Sequence, residues 1–282
     1  MGQEIALVSA TPGRLRTRVG AAQVAQVLAR DPVANVFVAA RLAENLRPKP
    51  TLWGYETAGE VSALCFCAAN MVPVEADSAA LHTFAERAAQ RGRTCSSILG
   101  PMAQVRELWR LLNPFWGPAR EVRASQPLLV TTTNPEVASD PNVRLAVATD
   151  LPALEPAAVA MYTEEVGVNP LIQDGGTALR RRLEHLVSNQ RVYVRLEHGQ
   201  VIFKAEIGSV ALGVCQVQGV WVHPNWRGRG LGAGGMATVT IDALRRIAGT
   251  VSLYVNDYNA PARAIYRRCG YRQVGEFATV LF

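Results

Sequence analysis

The sequence predicts an α/β fold of two domains, each a mixed sheet with flanking helices. The chain has 282 residues, which suits two domains of about 140 residues each. Hydrophobic residues make up 49% and charged residues 18%, as in globular proteins that bury a core. A stretch rich in turn formers separates two halves of periodic apolar pattern. We therefore expect an N-terminal domain at 1–130, a linker at 131–142 and a C-terminal domain at 143–282.

The second half has the clearer pattern of alternating strands and helices. A short strand at 143–148 leads to a helix that begins at Thr149-Asp150 and ends at Tyr162. Two strand-like runs surround His198-Gly199, which indicates a hairpin. The remaining predicted elements are a helix at 176–188, strands at 191–196, 201–207 and 211–222, a helix at 231–247, a strand at 251–255, a helix at 260–269 and final strands at 271–282.

The first half repeats part of this order more weakly. It predicts a strand at 61–68, a helix at 78–90, a strand at 94–98 and a helix at 101–112. The repetition concerns the order of elements and not residue identity, so we expect a degenerate internal duplication.

Charge and cysteine content restrict the classes of partner. The net charge is +6, but basic residues are scattered and only Lys49 and Lys204 are lysines, which argues against a nucleic-acid surface. No apolar run is long enough for a membrane span, and no signal peptide is recognisable. Five cysteines without a CxxC pair favour a reducing cytoplasm and no metal site. The pattern leaves the oligomeric state open, a homodimer included.

The strongest local signal is a glycine-rich turn between a strand and a helix, at residues 220–235. Glycines allow backbone N–H groups to converge on an anion, and the positive end of a helix dipole favours negative charge. Arg227 and Arg229 add charge-assisted contacts. The pattern predicts a cradle for a pyrophosphate, although a mobile glycine turn is an alternative.

A dinucleotide-binding fold is a second alternative for the same turn. Residues 230–235 also satisfy GxGxxG, and Asp257 ends the next strand, where a ribose-binding acid stands in NAD-binding folds. Only 25 residues follow Asp257, too few for the remaining strands. Residues 223–227 also lengthen a turn that is tight in those folds.

Two motifs in order resemble the GNAT family of N-acetyltransferases. Arg227, Gly230 and Gly232 match its acetyl-CoA motif, Arg/Gln-x-x-Gly-x-Gly/Ala, after a strand. The second block begins at Asn259 and includes Ala262, Tyr266 and Gly270-Tyr271. The resemblance covers residues 143–282 and is strongest over 220–271. The whole chain resembles two-domain actinobacterial members whose N-terminal domain has no assigned function.

The resemblance implies a GNAT fold that takes acetyl-CoA as co-substrate and needs no metal. Gly219 is a weak strand former, which suggests a bulge where the backbone meets the pantetheine. Tyr266 is implied as the acid that protonates the leaving thiolate. The implied cofactor contacts are Val220, Val222, Arg227, Gly228, Arg229, Gly230, Leu231, Gly232, Ala233, Asn259, Ala262 and Tyr266.

The sequence offers several candidates for the general base. Many family members carry a glutamate on the strand before the phosphate turn, where this chain has Gln216 and Gln218. We expect the base at the end of the preceding helix, in Glu165, with its neighbour Glu164 as a second choice. His223 and the α-carboxylate of Phe282 are alternatives.

The first half carries Glu75 and Asp77, and no glycine, where the second half has its phosphate turn. These carboxylates would repel a pyrophosphate, so we expect one acetyl-CoA site per chain.

The resemblance therefore implies an N-acetyltransferase, and we expect a primary amine to attack the thioester directly. Its acceptor would be a small-molecule amine or an amine of a peptide or protein. Cys269 is a poor nucleophile because the helix dipole raises the pKa of a thiol at a helix C-terminus. The alternative is a catalytically silent acyl-CoA-binding sensor or scaffold.

Overall fold

The computed structural model describes residues 13–44 and 49–282, which divide into two compact units. The first takes its described residues from 13–31, 42–125 and 277–282, and the second consists of 32–41 and 126–276. None of the described helices is long and apolar enough to cross a membrane.

The elements alternate between strands and helices along the chain. In the first part of the chain they are β1 (Arg14–Arg16), α1 (Ala21–Leu28), α2 (Pro32–Ala43), β2 (Thr51–Thr57), β3 (Glu60–Cys67), β4 (Asn70–Val74), α3 (Ser78–Arg91), β5 (Ser97–Pro101), α4 (Met102–Trp116) and β6 (Glu121–Thr131). They continue with β7 (Arg144–Leu145), α5 (Leu151–Val166), α6 (Leu171–Asp174), α7 (Thr177–Ser188), β8 (Val192–Glu197), β9 (Gln200–Ala211), β10 (Val214–Val222), α8 (Leu231–Arg246), β11 (Thr250–Tyr254), α9 (Ala260–Arg268) and β12 (Arg272–Leu281).

The sheet of the first unit runs in the order β1-β2-β3-β4-β5. Its strands are antiparallel except for β4 and β5, which are parallel and joined through α3. The end of the chain adds a further strand, because Phe277–Leu281 of β12 pairs antiparallel with β5. Helices α3 and α4 cover this sheet with side chains such as Phe84 and Leu108.

The sheet of the second unit runs in the order β6-β11-β10-β9-β8-β7. Strands β10 and β11 are parallel across α8, and residues Leu128–Thr131 of β6 pair antiparallel with β11. Met236 of α8 and Tyr266 of α9 belong to one buried cluster on the sheet, and Leu154 of α5 and Leu183 of α7 belong to another.

The two halves of the sequence repeat one order of elements. Strands β2 to β5 with α3 and α4 follow the same succession as β8 to β11 with α8 and α9, and each set contains one parallel pair. The mixed α/β fold predicted from sequence is confirmed. The boundaries at 130 and 143 stay a prediction, and the last six residues belong to the first unit.

Some predicted elements were wrong. The single strand expected at 211–222 is interrupted by a hairpin turn, in which Leu212 and Gly213 have φ of 54° and 73°. A leucine is a poor marker of such a turn, because non-glycine residues seldom take positive φ. The final strands expected at 271–282 are one continuous strand, β12. The helix expected to stop at Tyr162 continues to Val166.

Candidate functional site

The backbone of β10 is irregular at the point where it approaches the glycine-rich turn. Its register with β9 pairs Gln218 with Glu206 and then Trp221 with Lys204, so two residues of β10 stand opposite one of β9. Gly219, in this bulge, has a φ of 57°. The bulge predicted from Gly219 is therefore confirmed.

The pairing of β10 with β11 is short. The described pairs run from Val214 with Thr250 to Gln216 with Ser252, although β10 continues to Val222 and β11 to Tyr254. Beyond Gln216, β10 therefore carries Val220 and Val222, two predicted cofactor contacts, on a stretch that lies past its described pairing with β11. Strands that separate in this way can admit an extended ligand, whose polar groups pair with the strand backbone.

The turn after β10 ends in an uncapped helix N-terminus. Gly228 and Gly230 have φ of 75° and 79°, and Gly230 precedes α8 without a side-chain hydrogen bond to the first turn. A helix of this length presents unsatisfied N–H groups and a positive dipole end to an anion. Leu231 and Ala233 lie in the same first turn.

Gly232 has a different role from the turn glycines. A Cβ added at Gly232 would lie 2.6 Å from Cδ1 of Ile265, whereas one added at Gly228 or Gly230 would meet nothing within 4 Å. Gly232 therefore allows α8 to pack closely on α9, while Gly228 and Gly230 supply positive φ.

The two arginines of the turn have different partners. Arg229 places its guanidinium 5.0 Å from the ring centroid of Trp226, in a cation–π contact. Arg227 donates from Nε to the carbonyl of Val222 at 3.0 Å and from Nη2 to both carboxylate oxygens of Glu164, at 2.9 and 2.7 Å. Because the side chains of this ion pair are about half exposed, an incoming phosphate could displace Glu164 at little cost.

The two neighbouring glutamates of α5 also lie close to different groups. Glu164 accepts from Arg227 and from the indole N–H of Trp221 at 3.2 Å, so its carboxylate is already engaged. Glu165 is exposed, and its charge contributes to the raised pKa of Tyr266. The structure therefore places the two predicted catalytic residues, Glu165 and Tyr266, within electrostatic reach of each other.

Tyr266 lies on α9 and is 7% exposed. Burial raises the pKa of its hydroxyl, and the charges of Glu165 and Cys269 raise it further. Within the part of the chain that the structure describes, this hydroxyl makes no hydrogen bond. The phenol is therefore protonated at physiological pH and has a donor available for a ligand.

The ends of α9 follow the sequence prediction. Asn259 caps the helix, since its Oδ1 accepts the backbone N–H of Ala262 at 3.2 Å, and Gly270 has a φ of 80° after the last turn. Cys269 is buried, with Sγ 3.6 Å from the carbonyl of Ala233. Burial raises the pKa of this thiol to about 11, although Arg268 partly opposes the effect. Cys269 is therefore a poor nucleophile near neutral pH.

The remaining candidates for a base have structural contacts. His223 accepts the backbone N–H of Asn225 at Nδ1, at 3.2 Å, and its Nε2 lies 3.1 Å from the amide of Gln200. It also lines a cavity of about 510 Å³, together with Trp221 and residues of α5. Phe282 packs on Trp109 and Trp116 in the first unit. Among the described residues, no group of three or more His, Cys, Asp or Glu could hold a metal ion.

Comparisons with known proteins agree with this geometry. Residues 156–271 match the family model described as "Acetyltransferase (GNAT) family". This region is a GNAT domain. Residues 50–154 match a second model, described as "Domain of unknown function (DUF4081)". No curated protein was found to match the sequence.

Solved structures of GNAT proteins share the fold along most of the chain. A GNAT-family acetyltransferase from Colwellia psychrerythraea is 11% identical, with a TM-score of 0.58 over 95% of this chain and 99% of that one. A GCN5-related N-acetyltransferase from Kribbella flavida is 20% identical, with a TM-score of 0.55 over 90% and 95%. A tandem GNAT protein from the clavulanic acid biosynthesis pathway is 14% identical, with a TM-score of 0.50 over 95% and 98%. At these identities the likeness concerns the fold.

Sequence reasoning missed a charged cluster beside the bulge of the GNAT domain. Lys204 and Glu206 alternate on β9 and are 0% and 1% exposed, and Arg182 of α7 pairs with Glu206. The signal was present in the sequence, since two opposite charges two residues apart interrupt an otherwise apolar strand.

Proposed function

We propose that the GNAT domain is an acetyl-CoA-dependent N-acetyltransferase that acetylates a primary amine by direct attack. The observation that carries this proposal is the uncapped N-terminus of α8, which directly follows a bulged strand whose register with β11 ends early. Acetyl-CoA fits both features, because its pyrophosphate can bind at the helix N-terminus while its extended thioester arm lies along the strand.

The cofactor contacts in this proposal follow from the same features. The first turn of α8, from Leu231 to Ala233, and the turn glycines would hold the pyrophosphate, with Arg229 and a released Arg227 adding charge. The backbone of Val220 and Val222 would pair with the pantetheine. Asn259 and Ala262 would border the arm at the start of α9.

The reaction joins the acceptor nitrogen to the acetyl carbonyl carbon and breaks the carbon–sulfur bond. We assign Glu165 to accept the proton that the amine loses, directly or through water. We assign Tyr266 to donate a hydrogen bond or proton to the departing thiolate. Holding both reactants in one cleft supplies much of the rate enhancement.

The raised pKa of Tyr266 favours a hydrogen-bonding role over complete proton transfer. A thiol has a pKa of about 8.5, and the pKa of Tyr266 is raised above its ordinary value of 10.0. Complete transfer of the proton from Tyr266 to the thiolate is therefore unfavourable, because the thiol is the stronger acid. The main contribution expected of Tyr266 is a hydrogen bond that strengthens as negative charge develops on sulfur.

A catalytically silent acyl-CoA binder is the second candidate. It is favoured by Gln216 and Gln218, which occupy the strand where a glutamate base is often found. Gln216 is buried, and Gln218 packs its amide over Gly208. Such a protein would bind acetyl-CoA yet release no thiol with any amine acceptor.

The variant Tyr266→Phe tests whether the protein is a catalyst in which Tyr266 takes part. Thiol release would be measured with a panel of small amines and peptides, and acetyl-CoA affinity by calorimetry. We expect kcat to fall by about 100-fold, with affinity almost unchanged. Tyr258→Phe is the matched control, because Tyr258 is 69% exposed beside the same helix.

The outcomes separate the two candidates. Equal turnover in the wild type and in Tyr266→Phe would contradict the acid role of Tyr266. Acetyl-CoA binding without thiol release by the wild-type protein, across the whole acceptor panel, would favour the silent binder.

We also propose that the protein works in the cytoplasm. Its five cysteines are free thiols, and Sγ of Cys65 lies 3.8 Å from Sγ of Cys67 without a bond between them. Thiols persist in reducing compartments. Titration of the denatured, unreduced protein with a thiol reagent is expected to count five thiols, and a lower count would contradict this assignment.

A further inference from the structure

Lys204 is a buried cation that donates to two oxygen atoms. Its Nζ donates to Oε1 of Glu206 at 2.7 Å and to the carbonyl oxygen of Gly219 at 3.0 Å. A buried charge is costly unless it is paired and hydrogen-bonded. The second contact matters because Gly219 lies in the bulge of β10.

Glu206 holds this lysine in place. Its other oxygen, Oε2, pairs with Nη2 of Arg182 at 2.7 Å. Burial alone would raise the pKa of Glu206, but the charges of Lys204 and Arg182 outweigh burial and lower the pKa to about 2. The carboxylate is therefore ionised at physiological pH and keeps Lys204 beside the bulge.

The contact with Gly219 determines the direction of a neighbouring donor. The peptide bond between Gly219 and Val220 is planar, and in a trans peptide the C=O and N–H groups point in opposite directions. When Lys204 fixes the carbonyl of Gly219, it therefore also fixes the N–H of Val220. Both residues fall between the register pairs with β9, so strand pairing alone does not hold this peptide.

Glycine is needed at the bulge for two reasons. The φ of 57° is unfavourable for other residues, and an added Cβ would lie 3.1 Å from Nζ of Lys204 and 3.2 Å from Cδ of Glu206. The bulge and the charged cluster thus fit each other sterically.

We propose that Lys204 is a positioning residue, which orients and polarises the Gly219–Val220 peptide so that the N–H of Val220 donates to the thioester carbonyl. This inference rests on the proposed function. A cation on a peptide carbonyl strengthens the N–H of the same peptide as a donor. The donor would stabilise the negative charge that develops on the carbonyl oxygen during attack of the amine.

Lys204→Met tests the proposal, with Arg182→Met as the matched control. Both variants remove one cation from Glu206, but only the first removes a donor from Gly219. We expect Lys204→Met to lower kcat by about 10- to 100-fold, with acetyl-CoA affinity changed by less than about threefold. Arg182→Met is expected to retain kcat within about threefold. Equal losses of kcat in both variants would overturn the proposal.

A spectroscopic readout separates positioning from general damage. The carbonyl stretch of bound acetyl-CoA, labelled with ¹³C at the acetyl carbonyl, would be measured by infrared difference spectroscopy. We expect a lower frequency in the wild type and in Arg182→Met than in free acetyl-CoA, and a smaller lowering in Lys204→Met. An identical frequency in all three proteins would overturn the proposal.

A second variant guards against a folding failure. If Lys204→Met does not fold, the double variant Lys204→Met/Glu206→Gln removes both charges, and the same frequency change is expected from it. Absence of acetyl-CoA binding by the wild type would overturn the proposed function and this inference together. Binding and turnover by the wild type, with no effect of either lysine variant, would overturn the inference alone.

Discussion

The two halves of the chain share one order of elements but differ at the turn that leads from the third strand into its helix. In the first half, Oδ1 of Asp77 accepts the backbone N–H of Ala80 at 2.8 Å and caps α3. In the second half, Gly230 precedes α8 and offers no side chain to its first turn. One helix N-terminus is occupied by a carboxylate of its own chain, and the other is open to an external anion.

A second difference lies one strand earlier, in β3 of the first half and β9 of the second half. Residues 63–67 of β3 are uncharged, whereas β9 carries Lys204 and Glu206 at buried positions. The repeated fold thus tolerates both an apolar strand and a charged one. In the part of the chain that the structure describes, an uncapped helix N-terminus and a buried lysine–glutamate pair occur together in the second half.

The largest expected effect concerns acid stability. The pKa of Glu206 is lowered from its ordinary value of 4.5 to about 2, so its ion pairs stabilise the fold fully above pH 4.5. This stabilisation, about 3 kcal/mol, is lost as the pH falls from 4.5 through 2. Protection factors from hydrogen exchange, which are corrected for the pH dependence of intrinsic amide exchange, are expected to fall more in β9 than in β3 between pH 5 and pH 3.

The variant Lys204→Met/Glu206→Leu is the control for this prediction, because it replaces the charged pair with apolar side chains. The protection factors of its β9 amides are expected to depend less on pH. The same acid response in the wild type and in this variant would show that other groups carry the effect.

Giving α8 a carboxylate of its own would make the second turn resemble the first. Gly230→Asp is expected to weaken acetyl-CoA binding by about 30-fold relative to Gly230→Asn, because repulsion of the pyrophosphate is added to the same backbone strain. Calorimetry with both variants measures the ratio. Equal affinities would mean that the pyrophosphate does not bind at this helix N-terminus.

Removing the cap of α3 tests the other side of the comparison. Asp77→Ala is expected to lower the free energy of unfolding by about 1 kcal/mol, because the N–H of Ala80 loses its acceptor. Asp77→Asn keeps an acceptor and is expected to cost a few tenths of that amount. Urea unfolding measures both variants. Acetyl-CoA affinity is expected to stay the same, and a marked change would contradict the assignment of the site to α8.

The smallest effect compares two buried serines. Ser97 in the first unit receives a hydrogen bond from Nδ2 of Asn70 at 2.7 Å, whereas Oγ of Ser209 in the second unit has no partner in the described part of the chain. Ser97→Ala is expected to cost about 1 kcal/mol, and Ser209→Ala to be neutral or slightly stabilising. Thermal unfolding distinguishes them, and an equal cost would indicate that Ser209 has an unseen partner.

Local patterns predicted the second half well. The helix expected at 231–247 is observed at Leu231–Arg246, and the one expected at 260–269 at Ala260–Arg268. Caps and apolar periodicity are local signals, so they can be recognised in the sequence without knowledge of the fold. The turn at Leu212-Gly213 was missed because leucine is not a typical turn residue, although Leu212 has a positive φ.

Contacts distant in sequence were not predictable in the same way. Arg227 and Glu164 are separated by 63 positions, and their ion pair engages the carboxylate of Glu164, one of the candidates for the base. One of the two strand partners of β11 is β6, which lies before the second half begins. Pairing of strands depends on which backbone edges meet, and a hydrophobic pattern does not encode that choice.

The sequence by itself determined the α/β class, the glycine-rich turn and the residues at the start of α9. These depend on φ preferences, helix capping and periodicity, which act over a few residues. Only the tertiary structure decided which charges meet, and so brought Lys204 to the carbonyl of Gly219 and Glu164 to Arg227. Charged side chains reach their partners through space, and the folded sheet sets those distances.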